Sequence, residues 1–268
     1  MRRLSWPRMM ETVTSRVWRV GGDSWRCDDL AAISAAGDCN VYLLRLNSAN
    51  ILIDAATVPG QSAIESNIKE CGVEPGDLSA LILTHSHYDH THAAHQWQDA
   101  YAVPTYLNSV GAAFLQKGDF RLVGHQSLDP GYVFKPFRVD HACEDAQRFE
   151  IGCSRVTSLH MPGHTPDSTL FVVEYDGIRV GFCGDITFSP PPGSLGEIGW
   201  LSLLWLSDLS LYQKSLDSFL SVDLDILLPG HGHPLVGKPS IQRALEMSAA
   251  TVKRLRASPD THHFGIPL

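Results

Sequence analysis

The stretch that decides the fold of this chain is Leu83-Thr84-His85-Ser86-His87-Tyr88-Asp89-His90. An apolar segment, residues 78–84, leads directly into it and is typical of a buried β-strand. Four side chains that can bind a metal ion then follow in quick succession. A single histidine is usually an ordinary buried or surface residue, but this combination is poorly explained by chance. The motif therefore predicts a metal site at the end of a strand.

The spacing of the motif suggests more than one ion. Alternation along an extended chain predicts that His85 and His87 point to one side, and the turn after them can carry Asp89 and His90 around a second point nearby. Imidazole and carboxylate groups suit zinc, manganese and iron(II), and a catalytic ion keeps one coordination position open for water. Because the motif supplies too few ligands for two such ions, further ligands must come from elsewhere in the chain.

Three later segments offer those ligands. Each places one candidate in a glycine-containing turn beside an apolar strand, and recurrence at strand ends is what a shared site requires. The candidates are His164 in Met161-Pro162-Gly163-His164-Thr165, Asp185 in Phe182-Cys183-Gly184-Asp185, and His231 in Leu228-Pro229-Gly230-His231-Gly232.

The rest of the chain reads as short strands separated by helices. Two β-layers covered by helices would account for this order, and because no low-complexity linker interrupts it, we predict one domain over residues 1–268 with a core of about residues 13–235. Strands are predicted at residues 13–20, 39–46, 51–54, 78–84, 133–139, 156–160, 169–175, 178–182 and 225–228. Helices are predicted at residues 61–71, after His90, at 209–220 and at about 240–257.

The composition of the chain limits which substrates and which cellular location are expected. The chain has 268 residues, of which 44% are hydrophobic, and this is enough for a substantial core. A formal net charge of −8 without a run of lysines or arginines argues against a nucleic-acid substrate. The six cysteines form no close pairs, which predicts reduced thiols in a cytoplasmic protein. The N-terminal residues have no long apolar run, so neither export nor membrane insertion is expected.

In their order along the chain, H-x-H-x-D-H, P-G-H-T-P, G-D and L-P-G-H-G resemble the metallo-β-lactamase superfamily of metallohydrolases. The resemblance spans roughly residues 13–235 and implies an α+β fold, the four-layer αββα sandwich, with the site at one edge between the sheets. It also implies two divalent metal ions, with zinc favoured over iron or manganese. The ligands would be His85, His87 and His164 for the first ion, Asp89, His90 and His231 for the second, and Asp185 bridging both.

This ligand set indicates hydrolysis. The bridging Asp185 and a hydroxide between the ions would offset the repulsion of two dications, and the ions would lower the pKa of bound water towards ~7. We predict a catalytic role for Asp89, which would both ligate the second ion and accept a hydrogen bond from the hydroxide, directing it at the substrate carbonyl.

The substrate class follows by comparison within the superfamily. Its β-lactamases carry a cysteine or no equivalent aspartate at the position of Asp185, and its glyoxalase II-like thioesterases continue past the last histidine into a sizeable helical domain. Only a short stretch follows His231 here. We therefore predict cleavage of a carboxylic ester, lactone or thioester. Lactonases of the superfamily often hold their substrate with a tyrosine near the position of Phe188, which leaves Tyr88 and Tyr212 as substitutes.

An unusually apolar segment, residues 198–206, leaves two interpretations open. If it overhangs the metals, it could bind an apolar group of a small-molecule substrate. It could equally be a core helix or a dimer contact, for which Trp200 and Trp205 are suited, so a homodimer also stays open.

Two other activities stay open. A persulfide dioxygenase resembles this fold but uses a single iron, which would leave Asp89 and His90 without an ion. Phosphodiesterases of the superfamily share the ligands, but the acidic composition places that activity third. A non-catalytic role is disfavoured because all seven ligand positions are present.

Overall fold

The structure is a computed structural model. It describes residues 10–24, 27, 30–124, 134–189 and 197–258, together with the backbone of two short strands near the C-terminus, β14 (His262–His263) and β15 (Ile266–Pro267).

The first sheet has seven strands in the order in which they occur along the chain. The first four pair antiparallel, and the last three join them in parallel. Its strands are β1 (Glu11–Thr12), β2 (Val17–Gly21), β3 (Val41–Arg45), β4 (Asn50–Ile53), β5 (Ala80–Ile82), β6 (Thr105–Asn108) and β7 (His141–Cys143).

The second sheet has six strands, which also lie side by side in the order in which they occur along the chain. All its pairs are antiparallel except the parallel pair of β11 and β12. Its strands are β8 (Arg148–Ile151), β9 (Ser154–His160), β10 (Thr169–Tyr175), β11 (Ile178–Gly184), β12 (Ile226–Pro229) and β13 (Leu235–Val236).

Helices cover the outer face of each sheet. On the first sheet they are α1 (Gln61–Glu70), α2 (Tyr88–Thr91), α3 (Ala94–Tyr101) and α4 (Ser109–Gln116). On the second they are α5 (Leu209–Phe219) and α6 (Lys238–Ala257). None of the described helices has the length and apolar character needed to cross a membrane.

Three apolar cores separate these four layers, as expected for an αββα sandwich. In β3, Tyr42 and Leu44 face the core between the sheets, whereas Val41 and Leu43 face the core under α1 and α3. Because successive side chains of a strand point to opposite faces, a strand buried on both sides reads as an unbroken apolar run. Because of these apolar runs, the central strands were easy to recognise in the sequence. The predicted α+β sandwich is confirmed.

The strands that precede candidate ligands end at one edge of the molecule. Strands β9, β11 and β12 run in the same direction, since β9 and β11 are both antiparallel to β10 and β12 is parallel to β11. The edge of the first sheet where β5 ends is joined to them by a backbone hydrogen bond of 3.0 Å from Thr169 N to Thr84 O. The fold thereby collects ligands from both sheets in one place.

One predicted strand was wrong, and several short strands among the described residues were missed, including β6, β7 and β8. Residues 134–139 form no regular secondary structure, and Val133 lies outside the described residues. Pro136 lacks the N–H that a strand needs, while Phe134 and Phe137 are buried as anchors of an irregular segment. The missed strands β6, β7 and β8 have only three or four residues each, too few to establish a pattern.

Candidate metal centre

The first group of candidate ligands is His85, His87 and His164. The His164 Nε2 atom lies 3.2 Å from His85 Nε2 and 2.9 Å from His87 Nδ1. The two motif histidines converge although the chain bends at residues 84 and 85, where an extended segment was predicted. Between them, the Ser86 hydroxyl donates to Asp167 Oδ2, which ties this bend to the loop that carries His164. We call this group the first half-site.

Two glycines set the position of His164. Gly163 has a φ of +148°, and a Cβ there would lie 2.3 Å from the Cα of Tyr212. A Cβ on Gly199 would lie 2.4 Å from His164 Nδ1. Backbone therefore approaches the imidazole from behind, where no side chain would fit, and the ring is held with its Nε2 toward the other two histidines.

The second group is Asp89, His90 and His231, which we call the second half-site. The Asp89 Oδ2 atom lies 3.0 Å from His231 Nε2 and 3.5 Å from His90 Nε2. A Cβ on Gly230 would lie 2.2 Å from Asp185 Oδ1 and 2.7 Å from His90 Cε1. The turn before His231 can therefore pass this close to the other ligands only because residue 230 has no side chain.

Asp185 lies between the two half-sites. Its Oδ1 is 3.2 Å from His90 Nε2, while its Oδ2 is 3.6 Å from His164 Nε2 and 3.8 Å from His231 Nε2. One carboxylate thus reaches ligands of both groups. This is the position that the sequence resemblance implied for a bridging ligand.

The residues fit divalent metal ions. Tetrahedral zinc with bonds of about 2.0–2.1 Å places its ligand atoms about 3.3 Å apart, and ligand atoms of His85, His87, His164 and Asp185 all lie within 4.8 Å of one another, as do those of the second half-site. Several side-chain atoms of the candidate ligands are buried and have no hydrogen-bond partner among the described residues. They are His87 Nε2, His90 Nε2, His164 Nδ1 and Asp185 Oδ1. Buried polar atoms rarely lack a hydrogen-bond partner. Metal coordination would account for His90 Nε2 and Asp185 Oδ1, which point toward each other.

Electrostatics differ between the half-sites. Burial lowers the pKa of His85 and of His87 well below the ordinary value, and lowers that of His164 to about 4. These imidazoles are therefore neutral near pH 7, which is the form that binds metal.

In the second half-site the acidic neighbours dominate. Burial alone would lower the pKa of His90, but the acidic groups around it, Cys39 and Asp89 foremost, raise it well above the ordinary value. His231 is likewise raised against the effect of burial, by Asp185 and Asp89. Conversely, burial would raise the pKa values of Asp89 and Asp185, but the nearby histidines hold both below their ordinary value. Without an ion, this half-site therefore consists of ion pairs.

Sequence reasoning missed Asp54, which lies behind the second half-site. Its Oδ2 is 2.9 Å from His90 Nδ1, so it holds the ring with Nε2 facing the other ligands. Thr84 donates to Asp54 from both its backbone N, at 2.8 Å, and its hydroxyl. Asp54 follows the apolar strand β4 as the ligands follow theirs, and this was the signal that could have identified it.

A second missed residue is Asn40, which braces the turn that carries His231. Its Nδ2 donates to Pro229 O at 3.1 Å and to Gly232 O at 2.8 Å, on either side of the histidine. Its Oδ1 accepts from the buried Arg19 at 3.0 Å. No sequence motif pointed to it, because the brace depends on contacts between residues far apart in the chain.

A cavity of about 260 Å³ opens in front of both half-sites. Trp200, Trp205, Phe188 and Tyr88 line it together with candidate ligands, among them Asp89. Residues 198–206 thus combine the two roles left open by the sequence. Trp200 and Trp205 line the cavity, while Ile198 and Leu201 pack in the core under α5 and α6. Leu203 and Leu204 are exposed.

Of the two tyrosines considered as substrate contacts, Tyr88 lines the cavity. Tyr212 is wrong for that role because it is fully buried and donates to the backbone oxygens of Asp185 and Ile186, each at 2.8 Å. It supports the loop of the bridging aspartate from behind.

Comparison with known proteins agrees with this arrangement. Residues 35–231 match the family model described as the metallo-beta-lactamase superfamily. A probable metallo-hydrolase of Bacillus subtilis, YqgX, is 28% identical over 211 residues, covering 78% of this chain and 90% of its own. A probable polyketide biosynthesis zinc-dependent hydrolase of Bacillus velezensis, BaeB, is 32% identical over 123 residues, 46% of this chain and 45% of its own.

The fold also matches solved structures. The native metallo-beta-lactamase FEZ-1 from Legionella gormanii superposes with a TM-score of 0.71 at 19% sequence identity, covering 94% of this chain and 97% of its own. At that identity the likeness concerns the fold.

Proposed function

The chain belongs to the metallo-β-lactamase superfamily of metal-dependent hydrolases, and within it we propose a binuclear enzyme that cleaves a carboxylic ester, a lactone or a thioester. One observation carries the proposal. Two complete half-sites lie side by side and share Asp185, whose carboxylate oxygens are 3.2 Å from His90 and 3.6 Å from His164. An enzyme that binds a single ion would need only one of these two groups of ligands.

The half-sites have distinct tasks in this proposal. His85, His87 and His164 would hold the first ion, Asp89, His90 and His231 would hold the second, and Asp185 would contact both. When bound, two divalent ions supply a nucleophilic hydroxide at neutral pH and polarise the substrate carbonyl. The protein contributes the fixed geometry of the ligands and a cavity of about 260 Å³ that can admit a small molecule.

Asp89 is the residue that acts on the nucleophile. Its side chain keeps 23% of its surface exposed toward the cavity, whereas that of His90 is fully buried. The carboxylate is ionised, because neighbouring His90 and His231 hold its pKa below the ordinary value. It can therefore accept a hydrogen bond from the attacking water and orient it toward the carbonyl.

Zinc is the proposed metal. Imidazole nitrogen and carboxylate oxygen are ligands of catalytic zinc, although iron and manganese accept the same donors. The Bacillus velezensis relative is described as zinc-dependent, which supports zinc for this chain.

The other activities fit less well. A mononuclear iron dioxygenase does not need the second half-site, whose ligand atoms converge within 4.8 Å. A phosphodiesterase binds anionic substrates, yet the described residues around the cavity include no lysine or arginine.

The test is elemental analysis of the purified protein, combined with a panel of esters, lactones and thioesters assayed before and after chelation. We expect about two equivalents of zinc per chain and turnover that is lost on chelation and restored by zinc. One equivalent of iron with oxygen consumption and no hydrolysis would identify the dioxygenase and refute the proposal. Cleavage restricted to phosphodiesters would refute the assigned bond type while leaving the binuclear centre intact.

A further inference from the structure

The cavity has an aromatic wall beside the first half-site. The Trp205 ring meets the His87 ring edge-on, with centroids 5.3 Å apart and an interplanar angle of 79°. Trp200 lies nearly parallel to Trp205, at an angle of 15° and a centroid distance of 6.5 Å. Both rings line the cavity. A pair of stacked indole rings therefore stands next to a candidate metal ligand.

The position of this wall is fixed by its surroundings. Ile198 and Leu201, from the same segment, are buried in the core under α5 and α6. Gly124 closes the other side with a φ of +75°, and a Cβ there would lie 3.5 Å from both the Trp205 ring and His87 Cδ2. Trp205 is only 5% exposed and lies between a segment anchored in the core and the turn at Gly124.

The charge of the cavity restricts what can lie against this wall. The described lining residues include no lysine or arginine, and Asp23 adds a carboxylate to those of the metal centre. An anionic tail would find no cationic side chain among them. The volume of about 260 Å³ lies just below the range of about 300–1,000 Å³ common for small-molecule pockets. A compact uncharged group suits both limits.

We propose that Trp200 and Trp205, together with Val123, which lines the same cavity, form a subsite for an uncharged apolar group of the substrate, aryl or compact alkyl, beside the first half-site. The proposal rests on the proposed hydrolytic function and adds the substrate class, namely esters, lactones or thioesters whose acyl group is neutral and apolar. Burial of such a group against aromatic rings supplies binding free energy in proportion to the apolar area removed from water.

The test compares thioesters of one neutral thiol, N-acetylcysteamine, that differ only in the acyl group. With the zinc-loaded full-length protein, we expect kcat/KM for the phenylacetyl thioester to exceed that for the acetyl thioester by about tenfold or more, and the succinyl thioester to be the poorest substrate. In Trp205→Ala the phenylacetyl-to-acetyl ratio should fall to near one, mainly through KM. The matched control is Leu204→Ala, because Leu204 is adjacent but 68% exposed, and this variant should keep the ratio.

A second variant and a binding measurement guard against simple misfolding. Trp200→Ala removes the partly exposed ring of the pair and should also reduce the ratio. Binding of phenylacetamide, a neutral amide with the same aryl group, is measured by NMR titration without turnover. Its affinity should fall about tenfold in Trp205→Ala and remain unchanged in Leu204→Ala.

The outcomes separate the two proposals. Equal kcat/KM for the phenylacetyl and acetyl thioesters, or a ratio that neither tryptophan variant changes, overturns the subsite and leaves the hydrolase standing. If no thioester, ester or lactone is cleaved by protein with two zinc ions, the hydrolytic function fails. In that case phenylacetamide binding that depends on Trp205 still supports the subsite, and absence of binding overturns it too.

Discussion

The two half-sites of the metal centre use similar ligands but differ in charge and access. The first consists of three imidazoles, His85, His87 and His164, all buried and all neutral near pH 7 because burial lowers their pKa values. The second mixes imidazoles with a carboxylate, and its Asp89 and His231 keep 23% and 12% of their side-chain surface exposed. One group is enclosed and uncharged, and the other is open and internally paired.

This difference has an energetic meaning. Without an ion, part of the second half-site is already paired, since His231 and Asp89 are 3.0 Å apart. The first half-site has no carboxylate of its own, so its crowded imidazole nitrogens gain more from an ion. We therefore expect the first equivalent of zinc to bind the first half-site and the second equivalent to depend on the carboxylates.

The largest effect should come from Asp185→Asn, because this change removes the charge shared by the two half-sites. Loss of several kcal/mol of transition-state stabilisation corresponds to a decrease in kcat of about 10³-fold or more. Zinc titration with elemental analysis should show one tight equivalent in place of two. Two tight equivalents with full turnover would show that the half-sites function independently of the bridge.

Asp89→Asn tests whether the second, more open half-site takes part in the reaction and not only in metal binding. The amide is neutral and accepts a weaker hydrogen bond than the carboxylate does, so kcat measured at saturating zinc should fall by about 10²-fold. His92→Ala, on the turn after α2, is a nearby control with no candidate ligand role. Unchanged turnover in Asp89→Asn would restrict this residue to metal binding.

A matched pair of substitutions behind the ligands tests which half-site each aspartate supports. Asp54 holds His90 at 2.9 Å, whereas Asp167 accepts from Ser86 between His85 and His87. Removing such an outer partner commonly costs about 10–100-fold in metal affinity. We expect Asp54→Asn to weaken mainly the second equivalent and Asp167→Asn mainly the first, as followed by cobalt(II) absorption titration. Equal losses in both variants would mean that the two half-sites are coupled too strongly to distinguish.

The smallest effect should arise from the brace of the His231 turn. Asn40→Asp replaces two donated hydrogen bonds, to Pro229 O and Gly232 O, by repulsion between oxygens, and unsatisfied buried groups cost about 1–3 kcal/mol. The affinity for the second equivalent should fall about tenfold. Tyr42→Phe removes one hydrogen bond of 2.9 Å to the same Pro229 O and serves as control, with an expected loss of about threefold. If both variants lower only the thermal stability, Asn40 has no influence on the metal centre.

Much of the fold could be predicted because its central strands are buried on two sides. The predicted range 169–175 coincides with β10, where successive residues such as Phe171 and Val172 face different cores. In contrast, β6 has four residues, and Pro104 precedes it, so its apolar signal is too short to recognise. Pairing with β5 and β7 makes it a strand, and that information is not local.

The candidate ligands could be predicted because each stands directly after an apolar strand or in a glycine turn, and the fold brings all seven together. The residues that hold them could not. Asn40 reaches Gly232 across most of the chain, and Asp167 reaches Ser86 from the other sheet. Neither contact can be inferred from the spacing of residues along the sequence. The divided role of residues 198–206 was equally hidden, because it depends on which side of a short irregular segment each residue faces.

Each half-site takes ligands from both sheets, and this has a consequence for the newly made protein. His85 and His87 follow β5 of the first sheet, but their partner His164 follows β9 of the second, and His231 is made last of all. A chain emerging from the ribosome therefore exposes histidines long before it can offer a complete coordination shell. Tight metal binding therefore requires that both sheets have been synthesised and have packed together. The ions would then link the two halves of the molecule only late in folding.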